Sequence, residues 1–184
     1  RWTRMVEHVR HAAGELGDIW HWKRVRTNPV GQVDDQYLND NTTAAEAGRW
    51  ADPKTSGGYS NNKQTLNYTD DLANSTSVPK YYYTSGTYTG YLLKSDQNAT
   101  APYIAKVYTN GTLQDKDGNF IVPTATTKIP SITVSPILGD RGQIAGKGVW
   151  ASGKWTLEIS RNLTTGSQYD VQFDDLAKDY FFGV

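Results

Sequence analysis

The chain has 184 residues, its acidic and basic side chains balance at 19 each, and it contains no cysteine. This length suits one domain with its own core, and the balanced charge argues against nucleic acid or an anionic membrane as a partner. The absence of cysteine excludes disulfides and thiolate metal sites within these residues, and no apolar run approaches the roughly 20 residues of a membrane span.

Potential metal ligands are concentrated at the start of the sequence. All three histidines, His8, His11 and His21, and the only methionine, Met5, fall within the first 21 residues. Residues 5–11 are amphipathic, and His8 and His11, three apart, would share a helical face. The His8 and His11 pair lacks the spacing and the internal glutamate of a zinc-protease helix. The three histidines and Met5 are therefore candidate metal ligands without a hydrolytic motif.

We expect residues 1–184 to form one domain of a longer protein, because the sequence begins without methionine and ends in an apolar run. Within it, residues 38–100 are polar, rich in Gly, Ser, Thr and Asn, and poor in periodic apolar residues. This composition predicts a loop-rich insertion around a few short elements.

The second half of the sequence alternates apolar and polar residues with a period of two, which predicts half-buried strands. The predicted strands cover residues 103–108, 120–122, 131–135, 154–161 and 169–173, and the apolar residues 180–184 predict one more. Pro136 is expected to end the third of them. With little helix, this pattern predicts an all-β fold, an antiparallel β-sandwich with long irregular loops.

Pairs that contain glycine mark the turns between these strands. Asn110-Gly111, Asp117-Gly118 and Ser152-Gly153 stand where tight turns belong, and the last joins residues 148–151 to residues 154–161 in the clearest hairpin. Residues 115–119 also resemble part of a calcium loop. They lack its twelfth-position acid, so a plain hairpin turn is the favoured interpretation.

The sequence contains about twice as many Asn-x-Ser/Thr triplets as its composition leads us to expect. They begin at Asn41, Asn67, Asn74, Asn98, Asn110 and Asn162. Either Asn- and Thr-rich loops produce them by chance, or the chain is an exported, glycosylated surface protein. We expect an extracytoplasmic location, periplasmic or at the cell surface.

Several motifs occur together near the two ends of the chain. The first group is Trp20-His21-Trp22-Lys23, Arg26-Thr27-Asn28-Pro29-Val30-Gly31 and Asp34-Asp35-Gln36-Tyr37. The second is Gly148-Val149-Trp150, Gly153-Lys154-Trp155-Thr156, Ser160-Arg161-Asn162-Leu163 and Phe182-Gly183-Val184. In this order they resemble the haem-binding domain of the ethylbenzene dehydrogenase family, over roughly residues 18–60 and 146–184.

The resemblance implies a β-sandwich that binds one b-type haem without covalent attachment, with c-type haems possible elsewhere in a longer chain. Such a domain relays single electrons between redox proteins or other cytochrome subunits and performs no catalysis of its own. It would serve a periplasmic molybdenum enzyme or a larger cytochrome. In relatives, methionine and lysine hold the iron, and histidine does so in other members. The candidate ligands here are Met5, His8, His11, His21 and Lys23.

A strand over residues 19–23 would place His21 and Lys23 on one side, about 7 Å apart at about 3.3 Å per residue. These two side chains could not then bind opposite faces of one haem. One would ligate iron while the other meets a propionate or solvent. The opposite ligand would come from Met5, His8, His11 or a residue beyond Val184.

Aromatic and basic residues would complete the haem pocket. The tryptophans suited to cover a flat apolar ring are Trp20, Trp22, Trp150 and Trp155, and guanidinium groups that would meet propionates belong to Arg24 and Arg26. Each has an ordinary alternative: His21 as a packing residue, the tryptophans as core residues, and the arginines as surface charges.

A second hypothesis is a carbohydrate-binding or surface-layer β-sandwich module without haem. Sandwich folds of this kind bind sugars, and the chain is rich in tyrosine, tryptophan and glycosylation triplets. Fold analogy does not separate the two hypotheses. The sequence shows no phosphate-binding loop, no nucleophile elbow and no distinct carboxylate pair, so we expect neither hydrolysis nor phosphoryl transfer.

Overall fold

The computed structural model describes residues 16–39, 48–83, 89–97, 103–180 and 182–183. In this part of the chain the helices are single 3₁₀ turns at Asn28–Val30, Lys94–Asp96 and Asp140–Gly142, and all other regular structure is strand. The strands are β1 (Leu16–His21), β2 (Asp34–Asn39), β3 (Gly48–Ala51), β4 (Ser56–Asn61), β5 (Gln64–Tyr68), β6 (Asp71–Val78), β7 (Tyr91–Leu93), β8 (Ile104–Val107), β9 (Leu113–Asp115), β10 (Phe120–Ile121), β11 (Ile132–Leu138), β12 (Ala145–Ala151) and β13 (Lys154–Ser160). The prediction of an all-β fold is confirmed.

The described residues divide into two compact units. Unit 1 contains residues 16–23, 31–56 and 137–183, and unit 2 contains residues 24–30 and 57–136. The single domain over residues 1–184 and the packing of two sheets as a sandwich stay predictions. None of the helices within the described ranges has the length and apolar character that crossing a bilayer requires.

Unit 1 contains a three-stranded antiparallel sheet in the order β1-β2-β3. In its register Trp20 lies opposite Asp35, and His21 lies opposite Asp34. Because successive side chains of a strand point to opposite faces, the sheet has two chemically different sides. We call them the acidic face (Asp18, Trp20, Asp35 and Tyr37) and the histidine face (Ile19, His21, Asp34 and Gln36).

The hairpin predicted near the end of the sequence is present in unit 1. Strands β12 and β13 pair with Trp150 opposite Trp155. The turn residues Ser152 and Gly153 have φ angles of 50° and 77°. Two positive φ angles are typical of a type I′ turn, whose twist matches that of the flanking strands, and glycine adopts this conformation without steric cost.

Unit 2 contains a five-stranded sheet in the order β10-β9-β8-β5-β6 and a three-stranded sheet in the order β4-β11-β7. Its core cluster consists of Val78, Tyr82, Ile104, Val107 and Leu113. The predicted turns are present, with positive φ at Gly111 and Gly118. Two pairings, β5 with β8 and β7 with β11, are parallel, whereas β5 with β6, β8 with β9 and β9 with β10 are antiparallel.

The predicted strand over residues 169–173 is wrong, because this segment is irregular. Side chains satisfy its backbone in place of a partner strand: Asp18 accepts a hydrogen bond from the Val171 N–H at 3.1 Å, and Arg161 donates to the Val171 carbonyl at 2.5 Å. Residues 180, 182 and 183 are also irregular. Pro136 does not end its strand but lies inside β11, beyond the residues that pair with β7.

The predicted loop-rich insertion, residues 38–100, contains β3 to β7 within its described part. Most side chains of β3, β4 and β6 are exposed. A strand that is exposed on both faces needs no alternation of apolar and polar residues, so the sequence pattern did not reveal these elements.

Candidate functional site

The unusual Trp20-His21-Trp22-Lys23 segment begins in a strand and ends outside it. β1 ends at His21, and Trp22 and Lys23 follow in irregular backbone, so a strand over residues 19–23 is two residues too long. Trp20 lies on the acidic face, where its ring centroid is 4.9 Å from the Arg161 guanidinium carbon. The alternation of side chains between two faces therefore stops at His21. The positions of Trp22 and Lys23 depend on their own contacts.

Lys23 is held by Asp34, which is fully buried. The Lys23 ammonium and the Arg141 Nε both pair with the Asp34 carboxylate, and Arg141 Nη2 donates to Asp34 Oδ2 at 3.1 Å. Burial alone would raise the pKa of Asp34, but the hydrogen bonds from Arg141 and Lys23 outweigh it and bring the pKa to about 2. Lys23 in this pair is a charged donor, whereas an iron ligand needs a free amine.

His21 is partly buried on the histidine face and contacts Arg49 of β3. Burial and the nearby cations of Lys23 and Arg49 lower the pKa of His21, which favours the neutral imidazole. The Arg49 guanidinium donates to Nδ1 of His21 and, through Nε, to Gln36 Oε1 at 2.5 Å. Because arginine only donates, Nδ1 is the acceptor and the imidazole proton sits on Nε2. As placed, neither nitrogen offers a free lone pair to iron.

Three tryptophans meet on one side of the β12–β13 hairpin. Trp22 and Trp155 have ring centroids 5.1 Å apart, and Trp150 and Trp155 have centroids 5.5 Å apart. Gly148 makes room for Trp22, since a Cβ at Gly148 would lie 2.3 Å from Cζ2 of the indole. With Leu157, which lies opposite Gly148, these residues form what we call the tryptophan face (Trp22, Trp150, Trp155 and Leu157).

The tryptophan face is partly open to solvent. Trp150 is 56 % exposed, Trp155 39 % and Leu157 40 %. Gly146, two residues before Gly148 on the same face, is covered by Val33, because a Cβ there would lie 2.5 Å from Val33 Cγ2. The hairpin is thus covered near its base and leaves large apolar side chains uncovered toward its tip.

The remaining predicted site residues belong to unit 2 or lie outside the described residues. Arg24 and Arg26 belong to unit 2, where both are exposed and the Arg26 guanidinium lies 5.4 Å from the Tyr59 ring centroid. Met5, His8 and His11 lie outside the described residues. Their roles as ligands stay predictions, as does the role of the two arginines.

Four of the six predicted glycosylation asparagines are described and exposed: Asn67, Asn74, Asn110 and Asn162. Asn41 and Asn98 lie outside the described residues. The exposure makes the four side chains accessible to modification, and their occupancy stays a prediction.

Sequence reasoning did not identify a group of buried carboxylates on the acidic face. Asp18 of β1, Asp35 of β2 and Asp170 of the irregular C-terminal segment each bring one carboxylate oxygen within 4.8 Å of the others. Asp52, which follows β3, lies beside them, and its backbone N–H donates to the Asp35 carbonyl at 3.2 Å. We call these four residues the acid cluster.

Arg161 is the cation that contacts the acid cluster in the described part of unit 1. Its Nη1 lies 2.5 Å from Oδ2 of Asp18 and 3.7 Å from Oδ2 of Asp170. Burial, and then the neighbouring carboxylates, raise the pKa of Asp35 to about 8 and that of Asp52 to about 7. Burial also raises the pKa of Asp18. One guanidinium therefore does not compensate four buried acids.

No significant match was found among curated proteins or among solved structures. A family model described as ethylbenzene dehydrogenase matches residues 3–184, which is nearly the whole sequence and includes both ends that carry the motifs. The chain therefore belongs to the ethylbenzene dehydrogenase family.

Proposed function

We propose that this chain is a haem-binding electron-transfer domain of an oxidoreductase subunit, and that it performs no substrate chemistry of its own. The observation that carries the proposal is the tryptophan face, where large apolar side chains are exposed together. Exposed apolar patches usually mark a binding surface, and a flat apolar ring is the natural partner of grouped indoles. Membership in the ethylbenzene dehydrogenase family supports this choice.

The residues fit the ring of a haem better than they fit its iron. Trp150, Trp155 and Leu157 would exclude water from one side of the ring, and haem held there without cysteine would be b-type. Bound haem supplies a one-electron couple at its iron. Protein residues tune such a couple through burial and hydrogen bonds, and the tryptophan face would supply the burial.

Iron ligation requires residues other than Lys23 and His21 in their present contacts. Lys23 is an ammonium bound to Asp34, and the Nδ1 lone pair of His21 is taken by Arg49. Met5, His8 and His11 are the ligands that we propose first, and His21 becomes available only when Arg49 releases it. The partners would be redox proteins or other cytochrome subunits in an extracytoplasmic compartment, for which the exposed glycosylation asparagines are the support.

The first test is an optical spectrum of the natively purified full-length protein, oxidised and then reduced with dithionite, followed by a pyridine haemochrome assay. We expect sharp reduced bands and b-type haem. A protein that stays colourless after reconstitution with haemin contradicts the proposal. Its exposed tryptophans would then favour the second candidate, a carbohydrate-binding module, which binding to immobilised polysaccharides would reveal.

Substitution of Trp155 tests the surface. Trp155→Ala removes the ring that contacts both other indoles, and we expect haem affinity to fall about tenfold, the effect of losing part of a buried aromatic contact. Trp50→Ala is the matched control, because Trp50 is similarly exposed but lies on β3. Equal losses in the two variants would show that haem does not bind at the tryptophan face.

Substitutions of single ligands identify the iron site. Met5→Leu, His8→Ala and His11→Ala should each be compared with His21→Ala in the reduced spectrum. We expect His21→Ala to keep its haem bands, since Arg49 occupies Nδ1. Loss of the bands in His21→Ala alone would show that Arg49 releases His21 in the haem-bound protein.

A further inference from the structure

The oxygens of the acid cluster fall into two groups. Oδ2 of Asp18 accepts hydrogen bonds from Arg161 and from the Val171 N–H, and Oδ2 of Asp170 accepts one from the Thr165 hydroxyl. The other oxygens, Asp18 Oδ1 and Asp170 Oδ1, are buried and have no hydrogen-bond partner. In each of these two carboxylates, therefore, Oδ2 accepts hydrogen bonds from the protein and Oδ1 has no donor.

The two remaining acids show the same deficit. Asp35 is 0 % exposed; its Oδ1 accepts from the Gln36 N–H at 3.1 Å, and its Oδ2 has no partner. Asp52 is 3 % exposed, and both of its oxygens lack a donor. Buried carboxylates without donors are strongly unfavourable, because neither water nor a protein group replaces their hydration.

We propose that Asp18, Asp35 and Asp170 bind one calcium ion, with Asp52 as a further oxygen donor beside it. Calcium is held by six to eight oxygens at about 2.3–2.6 Å, so oxygens on opposite sides of the ion lie at most about 5 Å apart. One carboxylate oxygen from each of the three ligands lies within 4.8 Å of the other two, which meets this condition. The site is independent of haem and of the electron-transfer proposal.

Shared protons are the competing explanation, and they satisfy less of the cluster. A hydrogen bond between Asp52 and Asp170 exists only while one of the two holds a proton. A second proton, on Asp35, adds one more donor, and the five buried carboxylate oxygens without partners still outnumber these two donors. A divalent cation would serve these oxygens together and would also reduce the excess of four carboxylates over one guanidinium.

The donor chemistry selects the ion. All four side chains offer oxygen only, which suits a hard cation and disfavours zinc or copper, which prefer nitrogen and sulfur. Magnesium usually retains several waters, and the near-complete burial of Asp35 and Asp52 leaves little room for them. Calcium accepts irregular geometry and full coordination by carboxylates.

The position of the ion indicates what it does. Asp18 and Asp35 belong to neighbouring strands, and Asp170 belongs to the irregular segment that follows β13. The ion would fix residues 161–173 to the acidic face, a contact that otherwise relies on Arg161, on a few hydrogen bonds and on the packing of Tyr169 against Tyr37.

Calorimetric titration of EDTA-stripped protein with calcium chloride at pH 8 tests the proposal, with thermal unfolding as the second readout. We expect one calcium ion per chain, a melting temperature several degrees higher in calcium than in EDTA, and weaker binding of magnesium. Absence of calcium binding at pH 8, or binding of magnesium with equal affinity, would overturn it.

Two variants and a control locate the site. Asp35→Asn and Asp52→Asn should each weaken calcium binding at least about tenfold, because each removes an anionic donor. Asp117→Asn should not, since Asp117 lies in the turn where Asp115 is already satisfied by the N–H groups of Asp117 and Asn119. In EDTA, Asp35→Asn should melt no lower than the unmodified chain, which separates loss of the ion from loss of the fold. Retained affinity in both cluster variants, or loss in Asp117→Asn, would place calcium elsewhere.

Discussion

Asp34 and Asp35 are consecutive residues of β2, both fully buried, yet they lie in opposite electrostatic environments on the two faces of one sheet. Asp34, on the histidine face, meets Lys23 and Arg141, and its pKa is about 2. Asp35, on the acidic face, meets three other carboxylates, and its pKa is about 8. The residue type and its burial are the same, so the neighbours alone decide whether the carboxylate is ionised at neutral pH.

The comparison shows how a strand separates two kinds of chemistry. The histidine face holds balanced charges, and its one titratable imidazole is kept neutral by burial and by the cations of Lys23 and Arg49. The acidic face holds an excess of negative charge that only a proton or a cation can relieve. The ion pairs of the histidine face suit a structural role, whereas the acid cluster has carboxylate oxygens without partners that are available to a cation.

The largest expected effect comes from exchanging each aspartate for its neutral isostere. Asp34→Asn removes the carboxylate that pairs with Lys23 and Arg141, which are partly buried, and we expect it to lower the free energy of unfolding by about 3–5 kcal/mol. Asp35→Asn, measured in EDTA, should change it by no more than about 1 kcal/mol, or raise it. Urea unfolding at pH 7 measures both, and similar losses in the two variants would contradict the contrast between the faces.

A smaller effect is expected from pH. The folded-state pKa values of Asp35 and Asp52, about 8 and 7, lie above the unfolded value of about 3.8, so the folded chain binds more protons and its stability falls as pH rises from about 4 to 8. Asp34 acts oppositely: its stabilisation is present above pH 4 and is lost as pH falls toward 2. In EDTA we expect the melting temperature to drop by roughly 5 °C or more between pH 5 and pH 8.5.

Two controls make the pH experiment specific. Calcium should reduce the decrease in melting temperature at high pH. Asp35→Asn should reduce the same decrease without calcium, because each change removes the cost of an ionised, uncompensated Asp35. A melting temperature that is constant or rises over this interval in EDTA would show that the acid cluster is compensated in some other way.

The smallest effect concerns the histidine face. Arg49→Gln removes a cation beside His21 and the donor to its Nδ1, so the pKa of His21 should rise while the free energy of unfolding changes by about 0.5 kcal/mol or less. Proton NMR titration of the imidazole, assigned with His21→Ala, measures the shift. An unchanged pKa would show that burial and Lys23 keep His21 neutral without Arg49.

The regular parts of the fold could be predicted because their causes are local. Ser152-Gly153 and Asn110-Gly111 supply the positive φ that tight turns need, and β13 alternates apolar and polar residues. The alternation of residues 169–173 has a different cause. Tyr169 packs on Tyr37, with ring centroids 4.8 Å apart, and Phe173 lies 5.3 Å from the Arg161 guanidinium carbon, so the segment follows the sheet without pairing to a strand.

The site was less predictable, because the sequence does not show which distant residues meet. The grouping of Trp22 with Trp150 and Trp155 depends on Gly148, whose missing side chain makes room for an indole from the other end of the chain. The four acids of the cluster are spread from residue 18 to residue 170. The sequence did contain one signal of the acid cluster. Aspartate is disfavoured in strands, yet Asp34 and Asp35 are consecutive and stand between Val33 and the strand residues that follow.

The hydrogen bond from the Val171 N–H to Asp18 joins residues that are 153 positions apart. Unit 1 combines early and late parts of the chain, whereas unit 2 is drawn almost entirely from residues 57–136. During synthesis, all contacts within unit 2 become possible once residue 136 has left the ribosome, but the acid cluster cannot assemble until residue 170 has emerged. The carboxylate of Asp35 therefore remains in water while most of the protein is synthesised.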